Sequence, residues 1–192
     1  MGCSAINTGA ASYLFNSDIA GVWVWPVARP ACLTDPRTPD PHNGAMNIFE
    51  ALRISHVTQR TLADQLIQTQ GDSPERASLF KELKRELSAH ASAEERFFYV
   101  PLIAHDMTQE PSRHGIAEHH QMDKLIEELD ATDFSSPGWL VTAKALHHKI
   151  YHHLEDEEQS VFQLAGKVLS EAEKLSLAKD YEGEFVSQRL KD

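Results

Sequence analysis

Cysteine is nearly absent from this chain of 192 residues: Cys3 and Cys32 are the only two, and both lie within the first 45 positions. A disulfide framework is excluded, and beyond position 45 no thiol can serve as nucleophile or metal ligand. Positive charge is also scarce, with 18 Lys and Arg against 29 Asp and Glu and a formal net charge of −11. Nucleic acid and anionic membrane surfaces select for clustered Lys and Arg, so neither is expected as a partner. Long hydrophobic runs are missing as well. The best, Ile19 to Ala28, is about half of the roughly 20 apolar residues a membrane span needs. Its first basic neighbour, Arg29, follows the run instead of preceding it, which makes a poor secretory signal. Ile6 stands where an N-myristoylation motif wants Ser or Thr. The expected location is the cytoplasm.

What is present divides near Met46. Residues 1–45 hold five of the nine prolines and only five charged residues without sustained periodicity, the composition of a disordered or loosely attached tail. Residues 46–192 are charged, proline-poor and rich in helix formers, which predicts an all-α domain. A first helix is expected from Met46 to Gln70, ending at Gly71-Asp72. Ser73-Pro74 supplies a cap with proline at the first helical position for a second, running to about Tyr99. A third is expected from Pro111 to Ala131. Ser136-Pro137 opens a fourth, from Gly138 to about Gly166, and Ser170 with Glu173 forms a capping box for a short fifth. Long helices on short turns pack antiparallel, so the predicted fold is an up-down-up-down four-helix bundle with a short C-terminal fifth helix.

Two of these helices carry polar residues in the middle of their apolar stripes. In the fourth, Ala143, Leu146, Ile150, His153, Glu157, Val161 and Leu164 recur at intervals of three and four and share one face. In the second, Phe80, Leu83, Leu87, His90, Glu94 and Phe97 or Phe98 do the same. A buried carboxylate costs several kcal/mol unless its charge is compensated. A cation is the simplest compensator, because His-x-x-x-Glu places nitrogen and oxygen donors one turn apart. His56 and His119 add one histidine each to the inner faces of the first and third helices. Residues 56 and 90 are 34 apart, as are 119 and 153, so the chain contains a repeat. At about 1.5 Å per residue, His56 and His90 lie about 21 and 24 Å from their shared turn, and His119 and His153 about 18 and 22 Å from theirs. All four helices deliver donors to one level, and four histidines with two glutamates suffice for two cations.

The order His56, then HASAEE followed by FFY, then EHH at Glu118 to His120, then HLEDEE followed by Val161-Phe162, resembles the hemerythrin-like HHE cation-binding family over Met46 to about Gly183. That resemblance implies a four-helix bundle with a non-haem di-iron centre that takes oxygen or peroxide at open positions. It maps His56, His90, Glu94, His119, His153 and Glu157 onto the iron ligands. It also makes Met46 a candidate true start of the protein, with residues 1–45 an upstream extension, which tail peptides in mass spectra of the native protein would overturn. Oxygen carriers of the family have a fifth histidine one turn after the third-helix ligand, where this chain has Asp123. The implied function is binding or reduction of dioxygen or peroxide with an unknown electron donor, with catalase-like chemistry as one form. The alternatives are non-catalytic iron binding, oxygen or nitric oxide sensing, and a structural metal.

Other residues are expected to do less. His152 with Asp156 would share a stripe with Lys149 and face water. His105, His114, His147, His148 and His152 read as surface, with His148 and His152 able to take adventitious zinc or nickel. Glu95 and Glu158 read as the solvated rim, and Tyr99 and Tyr151 as packing. Asp123 is left as a seventh ligand, an outer partner or a proton donor.

Overall fold

The computed structural model describes residues 46–191. The expected tail, its apolar run and both cysteines lie outside them. Among the described residues the chain is helical, in seven α-helices: α1 Ile48–Ile67, α2 Pro74–Glu94, α3 Val100–Ile103, α4 Asp106–Ala131, α5 Pro137–Asp156, α6 Phe162–Val168 and α7 Glu171–Arg189. Two π-helical segments, Glu95–Tyr99 and Glu157–Val161, join α2 to α3 and α5 to α6 without a break. Two rods result, Pro74 to Ile103 and Pro137 to Val168. Around the bundle α1 packs on α2 and α5, α4 packs on α5 and touches α2, and α7 docks against α1 and α2.

Local chemistry sets the boundaries. Asn47 caps α1 in a capping box with Glu50, and Ser73 accepts the Arg76 N–H at the start of α2. The turn between them contains Gly71 at φ +56°, a left-handed conformation that costs glycine nothing. Ser170 and Glu173 form the expected capping box of α7. Three expectations need correction. The second helix does not end near Tyr99, because Val100 N–H bonds Glu95 O and the rod continues through Pro101 to Ile103. The third begins at Asp106 instead of Pro111, since the His105 carbonyl already accepts from Thr108 and Gln109. The fifth is not short: α7 has 19 residues against 20 in α1.

The apolar interior has two parts. One gathers Leu52, Ala93, Phe98, Tyr99, Val161, Phe162 and Tyr181 among others. The other gathers Ala63, Leu66, Leu83, Leu87, Trp139 and Ile150 among others. Along each helix the predicted site residues fall between them: His56 between Leu52 and Ala63, His90 between Leu87 and Ala93, His153 between Ile150 and Val161. The polar layer is thus sealed above and below by hydrocarbon.

Candidate metal centre

All six residues singled out in the sequence are buried, none more than 2% exposed. They fall into two groups whose donor atoms lie within 4.8 Å of one another: His56, His90, Glu94 and Glu157, and Glu94, His119 and His153. Glu94 belongs to both. Its Oε2 is 3.3 Å from His90 Nε2 and 3.3 Å from His119 Nε2, while Glu157 Oε2 is 3.2 Å from His56 Nε2. His119 Nε2 and His153 Nε2 face each other at 3.1 Å.

The other nitrogen of every ring is tied down. His56 Nδ1 is 2.8 Å from Glu158, His119 Nδ1 is 2.9 Å from Glu95, His153 Nδ1 is 3.0 Å from Glu118, and His90 Nδ1 is 3.0 Å from the Tyr181 hydroxyl. A partner at Nδ1 fixes the tautomer and turns Nε2 inward, which is the outer arrangement metal-binding histidines use. At the centre, His56 Nε2, His90 Nε2 and both oxygens of Glu94 and Glu157 are buried without a hydrogen-bond partner. Six such orphans in one place would be costly for a protein that left them so. A cation fits this donor set, which offers imidazole nitrogen and carboxylate oxygen and no sulfur.

Ionisation is governed by the crowding. Burial pulls down the proton affinity of His56, but the Glu157 carboxylate beside its Nε2 and the hydrogen bond to Glu158 overcome it and hold its pKa at about 9. Burial likewise lowers His119, and Glu94 and Glu95 reverse that to about 10. Burial prevails at His90, which falls to about 4, and also lowers His153. Glu157 is raised to about 8 by burial and by the Glu94 charge beside it. Glu94 is held low against burial by His90 and His119. Metal-free, the site therefore retains protons on His56, His119 and Glu157 at neutral pH.

The π segments re-aim the side chains beyond each glutamate. Five residues after Glu94 comes Tyr99, whose ring lies 5.8 Å from that of His119, and five after Glu157 comes Phe162, 6.0 Å from His56 and stacked on it. An α-helix would carry the fifth residue away from that face; a π turn brings it back, and such turns concentrate at functional sites. The Tyr99 hydroxyl is buried and unpaired, and burial together with the Glu157 and Glu94 charges raises its pKa well above the ordinary phenol range. It reaches this place because position 115 of α4 is glycine, where a Cβ would overlap the hydroxyl.

Several smaller expectations change. Glu95 and Glu158 are not merely rim: each orients a histidine from across the bundle, and Glu158 is anchored by Arg60 at 2.9 Å. The doublet Glu-Glu in both HASAEE and HLEDEE was the available signal. Glu118 is buried and also receives Lys149 at 3.3 Å. Tyr181, on α7, had no signal in the sequence. Tyr99 packs, as expected, but also presents its hydroxyl to the site. Asp123 is no ligand: its side chain is 61% exposed and lies 3.9 Å from His120. His114, His120, His148 and His152 are exposed, as is Asp64, which Tyr151 and His147 contact on the surface.

Fold and site together define a helical bundle with a buried His/Glu cluster of the kind that can hold a cation. Residues 47–165 match the family described as hemerythrin HHE cation binding domain, and the chain belongs to it. A solved relative, the hemerythrin HHE cation binding domain-containing protein from Mycobacterium kansasii, is 25% identical, with a TM-score of 0.68 over 76% of this chain and 89% of that one. The DNA nickase of Nostoc sp. strain PCC 7120 is 25% identical over 147 residues, 76% of this chain. The chain spans only 41% of that nickase.

Proposed function

We propose that this chain is a non-haem di-iron protein that binds or reacts with dioxygen or peroxide, drawing electrons from a donor in the cytoplasm. The observation that carries the reading is the pairing of six buried orphan donors with four histidines whose outer nitrogens are all engaged. His56, His90, Glu94 and Glu157 would hold one ion, and Glu94, His119 and His153 the other. Imidazole and carboxylate without thiolate suit iron better than structural zinc, which favours closed sites often rich in cysteine. Iron held there would supply reversible electron transfer to an O–O unit.

The protein's own part is positioning, drying and proton holding. Glu94 joins the two groups, while Glu158, Glu95, Glu118 and Tyr181 keep the imidazoles turned inward. Phe98, Phe162 and Tyr99 exclude water on one side. Tyr99 Oη keeps its proton in this setting and stands free to donate it to a reactant oxygen. With Asp123 turned to solvent, nothing at that position supplies a fifth histidine's role, which favours turnover over reversible carriage. Because the matched region is a minority of the Nostoc nickase, a second reading is a non-catalytic sensing domain of the same centre.

The test is metal analysis with absorption spectra before and after peroxide. Two irons per chain, a near-ultraviolet band, and oxygen release that vanishes in Glu94→Ala support the enzyme reading; reversible gas binding without turnover supports the second. Protein reconstituted with ferrous iron that stays colourless and takes up no more than one ion overturns both.

A further inference from the structure

A shift of 63 residues carries one half of the site onto the other, and among the residues that hold or orient the imidazoles it fails at one place. His56 and His119 correspond, as do His90 and His153, Glu94 and Glu157, Glu95 and Glu158. The correspondence extends to function: Glu158 orients His56, and Glu95 orients His119. In α4 the residue before His119 is Glu118, whose carboxylate orients His153. The residue before His56 is Ser55, too short to do the same for His90. Into the resulting space α7 inserts Tyr181, 2% exposed, whose hydroxyl meets His90 Nδ1 at 3.0 Å with the rings 6.0 Å apart edge to face.

The substitution is built into a chain of buried polar groups. Ser55 Oγ neighbours the Tyr181 hydroxyl and donates to Glu86 Oε1 at 2.7 Å, and Gln59 Nε2 donates to Ser55 Oγ at 3.2 Å. Glu86, 1% exposed, is closed by Arg189 from the last turn of α7. With His90 Nε2 turned to the centre, its Nδ1–H donates to Tyr181, and the Tyr181 hydroxyl is left to donate toward Ser55. A carboxylate acceptor strengthens an imidazole as a metal donor, and a neutral phenol does so less.

We infer that Tyr181 is a positioning residue that α7 supplies in place of the repeat's missing carboxylate, and that it makes the two cation positions inequivalent. The position built from His56, His90, Glu94 and Glu157 depends on α7 for its occupancy. The other position does not. This rests on the two-cation reading of the centre, and metal binding by the intact chain separates the two.

The experiment is stepwise cobalt(II) titration of the metal-free full chain, monitored by visible absorption and by bound metal after dialysis. Wild type is expected to take two ions in two distinguishable steps. Tyr181→Phe, which keeps the ring and removes the acceptor, should weaken one step 10- to 100-fold and leave the other within about twofold. Glu95→Gln should weaken the opposite step. Ser55→Glu combined with Tyr181→Ala, which returns a carboxylate and clears room for it, should recover the lost step. Tyr181→Phe binding both ions as wild type does, or losing both steps equally, overturns the inference. Wild type taking fewer than two ions overturns the site reading and the inference with it.

Discussion

Gly115→Ala isolates what holds Tyr99 at the site. In an open helix interior this exchange gains about 1 kcal/mol. Here a Cβ would overlap the Tyr99 hydroxyl and Cζ outright and come within 2.9 Å of Cε2, against an ordinary carbon contact of roughly 3.5–4.0 Å. The obstacle is a ring that is 0% exposed, so it cannot swing aside. Overpacking of that severity costs about 3 kcal/mol, leaving a net loss of about 2 kcal/mol after the helix gain. For a domain of this size that lowers Tm by about 4–8 °C in calorimetry or a circular dichroism melt. Two internal controls carry the opposite sign. Gly166 in α6 and Gly183 in α7 have nothing within 4 Å of an added Cβ. Alanine there should raise Tm by about 2–4 °C. A Gly115→Ala protein as stable as wild type, with unaltered metal uptake, would show that Tyr99 does not pack against α4 as described.

Glu94→Ala should abolish uptake of both ions, because Glu94 belongs to both groups, whereas His56→Ala should remove one; bound metal per chain decides between them. Metal binding should release protons, since His56 at about 9 and His119 at about 10 are charged in the metal-free site at neutral pH; affinity should climb as pH rises toward 10, measured by titration in buffers of different ionisation enthalpy. The same raised values make the metal-free protein most favoured below about pH 6.5, with that contribution fading as pH passes through 9 to 10, a loss that chelated samples show in a pH series of melts and loaded ones do not. Glu158 and Glu118 carry the reverse sign. Hydrogen bonding to His56 first of all holds Glu158 at about 2, and hydrogen bonding to His153 overcomes burial to hold Glu118 there as well. Their contribution is complete above the ordinary value of 4.5 and is lost as pH falls toward 2. At the far end of the bundle, buried Arg76 bonds Thr69 and the Phe134 carbonyl and lies 4.7 Å over Trp139; Arg76→Met should destabilise by about 2–4 kcal/mol in urea melts without changing metal stoichiometry.

The sequence by itself determined the helices, their pairing and the level at which six polar side chains meet. Helical periodicity is local: a stripe of Leu146, Ile150, His153 and Glu157 is readable wherever residues three and four apart share a face. Equal spans from each turn to each histidine follow from constant rise per residue. The tertiary structure decided what lies across from what. Glu95 and Glu158 look like solvated neighbours of buried residues until the opposite helices bring His119 and His56 to them. Tyr181 is 91 residues from His90, and no periodicity in α7 announces the contact. The π segments are illegible in the sequence for a related reason. One extra residue per turn is set by what the packing needs after Glu94 and Glu157, and it returns Tyr99 and Phe162 to the face that an unbroken 3.6-residue period assigns elsewhere. Period fixes faces, but only packing selects the partners those faces meet.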